Sequence, residues 1–147
     1  MNAARKPNLT ADAVATELTL AVGQLIRRLR SEVASDGLGM SQTSALARLE
    51  SNGPMTTADL ARAESMKPQS MKAILASLEE EGLVEREPHP TDGRQILFVL
   101  TAAGLDARRK RSAAKHRWLG AAIERLDPEE IRTLAAAITL IRRIGDK

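Results

Sequence analysis

Apolar residues recur at steps of three or four through most of this chain, the spacing that lines one face of a helix. Val14, Leu18, Val22, Leu25, Leu29 and Val33 form the first such stripe and predict a helix from about Thr10 to Ser35, with Thr10 as N-cap and Asp36-Gly37 as the stop. A short second helix opens near Ser41, carries Leu46 and Leu49, and breaks at Asn52-Gly53-Pro54. A third starts at Thr56, where Thr-x-x-Asp with Asp59 is a capping-box variant and Leu60 and Ala61 supply the apolar face. A fourth carries Met71, Ile74, Leu75 and Leu78. Pro68 suits its first position, where a missing N–H costs nothing, and Gly82 suits the left-handed residue after its last turn, with Leu83 folding back.

The period then changes. Val84-Glu85-Arg86-Glu87 alternates, a turn-rich stretch runs from Pro88 to Gly93, and Gln95–Leu100 reads as a second strand, giving a short antiparallel hairpin after a helix-turn-helix pattern. Thr101 can cap a long helix reaching about Leu126. Its middle, Asp106 to Arg117, has no large apolar residue, which predicts a solvent-exposed helix bridging two packed units. Asp127-Pro128-Glu129-Glu130 is a strong start signal for a last helix, in which Ile131, Leu134, Ile138 and Ile141 keep a 3-4-3 rhythm up to Gly145. The fold class predicted is mainly α with a small β-hairpin wing. A winged helix-turn-helix over 41–100 joins a helical dimerisation layer from 10–36 and 101–145, all within one domain, 1–147.

Composition narrows this further. Of 147 residues, 43% are hydrophobic and 28% charged, and Trp118 and Phe98 are the only aromatics, so the core must be aliphatic, which suits packed helices. The absence of cysteine excludes disulfides and thiolate metal sites. Apolar runs are too short and too broken by charge to span a bilayer, and none follows Arg5-Lys6 as a signal peptide would; a soluble, cytoplasmic protein with no membrane partner is expected. The net charge of +3 hides an uneven distribution. Residues 56–100 carry 5 Lys/Arg against 8 Asp/Glu, whereas residues 101–126 carry 7 against 2. Any affinity for nucleic acid must therefore come from local placement of cations.

The order of elements resembles the MarR family over essentially the whole chain. The residues that carry the resemblance are Thr56-x-x-Asp-Leu-Ala61, the block from Pro68 through Leu78-Glu-x-x-Gly82-Leu-Val84-x-Arg86, Asp92-Gly-Arg94, and Leu100-Thr101-x-x-Gly104. Ala73 stands where many relatives have Arg, with Lys72 beside it, and Lys67 stands where the family has a small cap. The resemblance implies a two-fold dimer packed through its first and last helices, a recognition helix in each major groove and a wing in the adjacent minor groove. It further implies a sequence-specific regulator of double-stranded DNA, a ligand-responsive repressor on a pseudo-palindromic operator. Release by a small effector, a phenolic or other organic anion bound between the two layers, comes with it; no cofactor does.

On that account the reader is the helix from Pro68. Lys67, Pro68, Gln69, Ser70, Lys72 and Ala73 lie at its N-terminal end, where Gln can pair with adenine, Ser can meet base or phosphate, and Lys can meet phosphate or guanine. Arg94 at the hairpin tip can enter a narrow minor groove, with Asp92 gripping its guanidinium; the plainer reading is a polar turn in which Asp-Gly supplies positive φ. The stripes Val14, Leu18, Val22, Leu25 and Ile131, Leu134, Ile138, Ile141 exceed what a small winged domain can cover, so a second copy is the expected cover. The run Arg108-Arg109-Lys110-Arg111 with Lys115 and Arg117 is either a phosphate contact or a solvated face. His89 and His116 lack metal-ligand spacing and are expected on a solvated turn and a helix surface, with no metal site. Trp118 is a core or interface anchor, or lines an effector cavity whose charge partner is sought among Arg27, Arg28, Arg30 and Arg48. No nucleophile-base pair or phosphate loop is present, so no enzyme is expected. A winged protein-interaction module without DNA binding is the alternative, kept open by the acidic balance of 56–100.

Overall fold

Capping chemistry sets the helix boundaries in the computed structural model, which describes residues 10–33 and 36–146. The order is α1 (Ala11–Val33), α2 (Met40–Asn52), β1 (Met55–Thr56), α3 (Thr57–Ala63), α4 (Pro68–Glu80), β2 (Val84–Pro88), β3 (Ile96–Leu100), α5 (Ala102–Ile123) and α6 (Pro128–Gly145). Thr56 accepts the Asp59 N–H, Thr101 the Gly104 N–H, and Asp127 those of Glu129 and Glu130, so each cap satisfies donors that the first helical turn leaves free. Helix α4 ends as its sequence predicts. Gly82 has φ of +74°, the Leu83 N–H reaches the Leu78 carbonyl at 2.9 Å and the Gly82 N–H reaches that of Glu79 at 3.0 Å.

The chain divides into two compact units, residues 34–116 and residues 1–33 with 117–147. In the first, Leu46 of α2, Leu60 of α3, Met71, Leu75 and Leu78 of α4 and Val84 of β2 are wholly buried, and Phe98 of β3 closes the cluster. These residues sit on the apolar faces read from the sequence, and burying each is worth roughly 1.5–3 kcal/mol. In the second unit no residue of α6 is buried, and the only buried residue of α1 is Val33. Arg28 lies over the Trp118 ring, 5.7 Å from its centroid, and also pairs with Glu32.

Three expectations need correction. The wing is not a lone hairpin: β1 adds a strand on the far side of β3, giving a sheet of order β1-β3-β2, with Met55 opposite Phe98 and Thr56 opposite Leu97. Two residues are too few to show a period, and only their partner makes them a strand. The Asp92-Gly93-Arg94 tip does not use positive φ at glycine; the Gln95 N–H bonds the Asp92 carbonyl at 3.0 Å across a turn in which neither Gly93 nor Arg94 is left-handed. The middle of α5 is not uniformly solvated either. Arg111 keeps 8% of its surface and donates to both carboxylate oxygens of Asp36, while Arg108 pairs with Glu50 at 2.7 Å. The basic run is thereby split between internal ion pairs and surface.

Candidate nucleic-acid interface

The N-terminal half of α4 is held from behind. Met71, Leu75 and Leu78 fill the core, so the helix turns Gln69, Lys72, Ala73 and Ala76 to the opposite, exposed face. Lys67, Pro68 and Ser70 complete an exposed N-terminal end; Lys67 is the N-cap residue in extended conformation and makes no side-chain cap. Pro68 has no N–H and the Ser70 N–H bonds the Lys67 carbonyl at 3.0 Å, so the Gln69 N–H and the positive end of the helix dipole are what the first turn offers an anion such as a DNA phosphate. Ala76, one turn beyond Lys72 and Ala73 on the same face, was not singled out from the sequence because alanine carries no chemical signal.

The joint behind the helix is tight. Thr101 Oγ1 donates to the Gly82 carbonyl at 2.6 Å and the Thr101 N–H to the Leu83 carbonyl at 3.1 Å, which ties the start of α5 to the turn that ends α4. Gly104 packs so close that a Cβ there would stand 2.0 Å from the Leu83 oxygen. At the other end, Arg48 and Ser44 of α2 hold Glu64 in the turn between α3 and α4. The Ser44 hydroxyl first, and then Arg48, hold the Glu64 carboxyl below its ordinary pKa against the opposing effect of burial. Burial pushes Asp36 up, but hydrogen bonds from Arg111 and the Leu38 N–H, with the Arg111 charge, outweigh it and leave Asp36 lowered. Helix α4 is thus tied to its neighbours at both ends.

At the wing, β2 and β3 pair from Val84 opposite Leu100 to Pro88 opposite Ile96 and carry a loop of residues 89–95. Asp92 does not grip the guanidinium of Arg94: its Oδ1 accepts the Arg94 backbone N–H at 3.0 Å and its Oδ2 the Gln95 amide at 3.2 Å. Asp92 therefore shapes the loop, and the exposed Arg94 side chain projects from it. His89 is not merely solvated, since its Nδ1 accepts the backbone N–H groups of Thr91 and Asp92 at 3.2 and 3.1 Å. A cleft of about 600 Å3 between α3 and β3 is lined by Thr57, Asp59, Arg62 and Gln95.

Charge placement accounts for part of the acidic balance of this segment. Asp59 pairs with Arg62, Glu64 with Arg48 and Glu79 with Arg86, which in turn lies over the Phe98 ring. Glu81 accepts the Gln42 amide at 3.1 Å. Glu79 and Glu81 are therefore engaged at the far end of α4. Among the described residues, Lys67, Lys72 and Arg94 have no acidic partner within ion-pair distance. Glu80, Glu85 and Glu87 likewise stay exposed without an ion-pair partner among the described residues, and the cations of the exposed face remain available.

A helix-turn-helix whose second helix is backed by the core and followed by a wing defines a winged-helix DNA-binding protein. The comparisons give the family. The model of the MarR family matches residues 38–96. An uncharacterized HTH-type transcriptional regulator of Mycobacterium bovis, Mb0904, is 37% identical over 140 residues, covering 95% of this chain and 98% of its own. The HTH-type transcriptional repressor Rv2887 of Mycobacterium tuberculosis is 34% identical over 97 residues, covering 65% of this chain and 70% of its own. A MepR variant of S. aureus, solved bound to an oligodeoxyribonucleotide, shares the fold at a TM-score of 0.71 with 16% identity over 90% of this chain and 98% of that one. The chain belongs to the MarR family of DNA-binding transcription regulators, which are not enzymes. Among the described residues no helix is long and apolar enough to cross a membrane.

Proposed function

We propose that this regulator works as a homodimeric repressor on a pseudo-palindromic operator, with one α4 in each of two major grooves and Arg94 of each wing in a flanking minor groove. The observation that supports the reading is the placement of charge: Lys67, Lys72 and Arg94 stand exposed without an ion-pair partner among the described residues. Glu64, Glu79 and Glu81 are engaged by Arg48, Arg86 and Gln42, and only Glu80, Glu85 and Glu87 are left as exposed, unpaired acids of the segment. The exposed apolar residues of α1 and α6, including Val14, Val22, Leu25, Ile131, Leu134, Ile138 and Ile141, support a second copy as their cover, with the half-buried Leu18 on the same stripe. Repression has support in the name of the relative Rv2887. The cytoplasm, where the DNA is, is the proposed location.

An organic anion as effector is part of the same reading. Of the arginines first considered, Arg48 is engaged with Glu64 and Arg28 with Glu32 and Trp118. A groove of about 440 Å3 along α2 and α5 is lined by Arg109 and His116 together with Arg108, which Glu50 engages, so Arg109 is the charge partner it offers. Ligand-linked change in operator affinity is the check on this part; an unchanged affinity across a panel of phenolic and aliphatic carboxylates removes it.

The main test uses DNA fragments selected by the purified protein. Gln69→Ala should change base preference at one half-site position at a cost of about 1–3 kcal/mol. Lys72→Ala should weaken binding across all sequences and lower the salt slope. Arg94→Ala should weaken operator binding by about 1–3 kcal/mol with the melting temperature unchanged, and Arg94→Lys should restore it only in part. Three variants that all bind like wild type would exclude the helix and the wing as the reading surface.

A further inference from the structure

The wing loop is organised by a side chain whose hydrogen-bonding role depends on its protonation. His89 closes the loop twice: its backbone N–H bonds the Gln95 carbonyl at 3.3 Å, and its ring Nδ1 receives the Thr91 N–H at 3.2 Å and the Asp92 N–H at 3.1 Å. A neutral imidazole has one acceptor nitrogen; an imidazolium has none. Two N–H groups received at Nδ1 suit the tautomer that carries its proton on Nε2. The geometry imitates an Asx turn, because Nδ1 stands as many bonds from Cα as the Oδ1 of asparagine. Asp92, the second of the two residues so held, accepts the Arg94 N–H at 3.0 Å and the Gln95 amide at 3.2 Å. A continuous chain of contacts thus runs from the His89 ring to the backbone that carries Arg94.

We infer that His89 is a positioning residue for DNA binding, and that its protonation releases the wing. A proton on Nδ1 would turn that nitrogen into a donor facing two N–H donors, with only the Thr91 hydroxyl, 3.4 Å away, able to accept from it. The loop must then let the ring go, and Asp92 and Arg94 lose their fixed placement. The charged side chains of the loop and of the strand end beside it are Glu87, Asp92 and Arg94. The sign of the effect is diagnostic. A histidine that merely lies near DNA gains attraction to phosphate on protonation, so its protein binds more tightly in acid; a histidine that holds the wing by accepting hydrogen bonds makes binding weaker. This inference rests on the reading that Arg94 of the wing contacts DNA.

The test compares four full-length proteins, wild type, His89→Asn, His89→Ala and Arg94→Ala, on one selected operator duplex at fixed salt, at about pH 7.5 and about pH 5.5, either side of the ordinary imidazole range. Asparagine keeps the acceptor and cannot be protonated there. His89→Asn should bind as wild type does at the higher pH and change little at the lower one. Wild type should lose about five- to tenfold relative to His89→Asn on acidification, the size expected when each wing of a dimer gives up hydrogen bonds of ordinary strength. His89→Ala should be weak at both pH values, with the melting temperature at neutral pH close to that of wild type. His116 is common to wild type and both His89 variants, so its titration cancels in the comparison. Wild type that binds as well or better in acid relative to His89→Asn, or His89→Ala that binds like wild type at neutral pH, overturns the inference. If Arg94→Ala is weak while these His89 differences are missing, only the role of His89 fails. If Arg94→Ala binds like wild type, the wing reading and the inference fall together. The imidazole nitrogen chemical shifts give an independent check, since an Nε2–H tautomer at neutral pH is required and an Nδ1–H tautomer contradicts it.

Discussion

In the unit of residues 34–116, Leu46, Leu60, Met71, Leu75 and Leu78 are entirely out of solvent, whereas in the other unit Val14 keeps 48% of its surface and Leu25, Ile138 and Ile141 each keep 43%. Both sets sit on helical stripes of similar regularity. The difference is that α2, α3, α4 and the sheet face one another and close on a shared core, while α1 and α6 have apolar faces wider than anything in the described chain covers. Ile144 and Leu140 extend the apolar set of α6 beyond the stripe read from its sequence. A closed unit can carry a precise reading surface, because its helix is fixed from behind. An open unit is suited to join two such surfaces. The division of labour proposed for this regulator follows from that contrast.

The largest effect should come from charging the open face. With a second copy covering α6, an aspartate at Ile138 would be buried without a partner, so Ile138→Asp should sediment as a monomer or aggregate. Its operator affinity should fall about 100-fold or more, because two linked readers are reduced to one. The unit of residues 34–116 should stay folded, visible as a retained thermal transition. A dimer that survives this change places the interface elsewhere.

A smaller effect is expected inside the closed unit. Gly104→Ala brings a methyl group against the Leu83 carbonyl, a backbone atom that cannot step aside as a side chain would. The start of α5 must move from the turn that ends α4, with a loss of about 2–3 kcal/mol in denaturant unfolding. Dimerisation through the other unit should be unaffected, so a change in oligomeric state would show that the two units are not separable in this way.

The smallest expected effect is a dependence on acid. Asp36 and Glu64 both have lowered pKa values in the folded chain. A lowered carboxyl contributes stability that is complete above its unfolded pKa, about 4 for these groups, and is lost as the pH falls through the lower folded value. Unfolding of the 34–116 unit should therefore become easier below about pH 4. The double variant Asp36→Asn, Glu64→Gln should be less stable at neutral pH and show a flatter profile in acid. An unchanged profile would show that other carboxyls set the acid limit.

How far the sequence could be read depended on how local the governing interaction is. Thr56, Pro68, Gly82, Thr101 and Asp127 announce helix ends because each cap is closed within a few residues. The outward face of α4 was legible for the same reason, since Met71, Leu75 and Leu78 fix the phase. The strand β1 was not, for it exists only through pairing with β3 some forty residues later. Nor was the burial of Arg111, whose partner Asp36 lies 75 positions away, in a run where every neighbouring cation looks alike. The wing tip was misread because Asp-Gly suggested a glycine-led turn, while the actual conformation is held by the side chains of His89 and Asp92.

The claim that two closed reading units are joined at a fixed distance can be tested on DNA rather than on protein. Operator duplexes selected by the wild type would be compared with duplexes in which one half-site is moved by about 5 bp, half a helical turn, at one salt concentration. The account predicts that wild type falls toward its non-specific affinity on the shifted duplex, while Ile138→Asp binds both duplexes equally weakly. Equal wild-type affinity for the two spacings would contradict it.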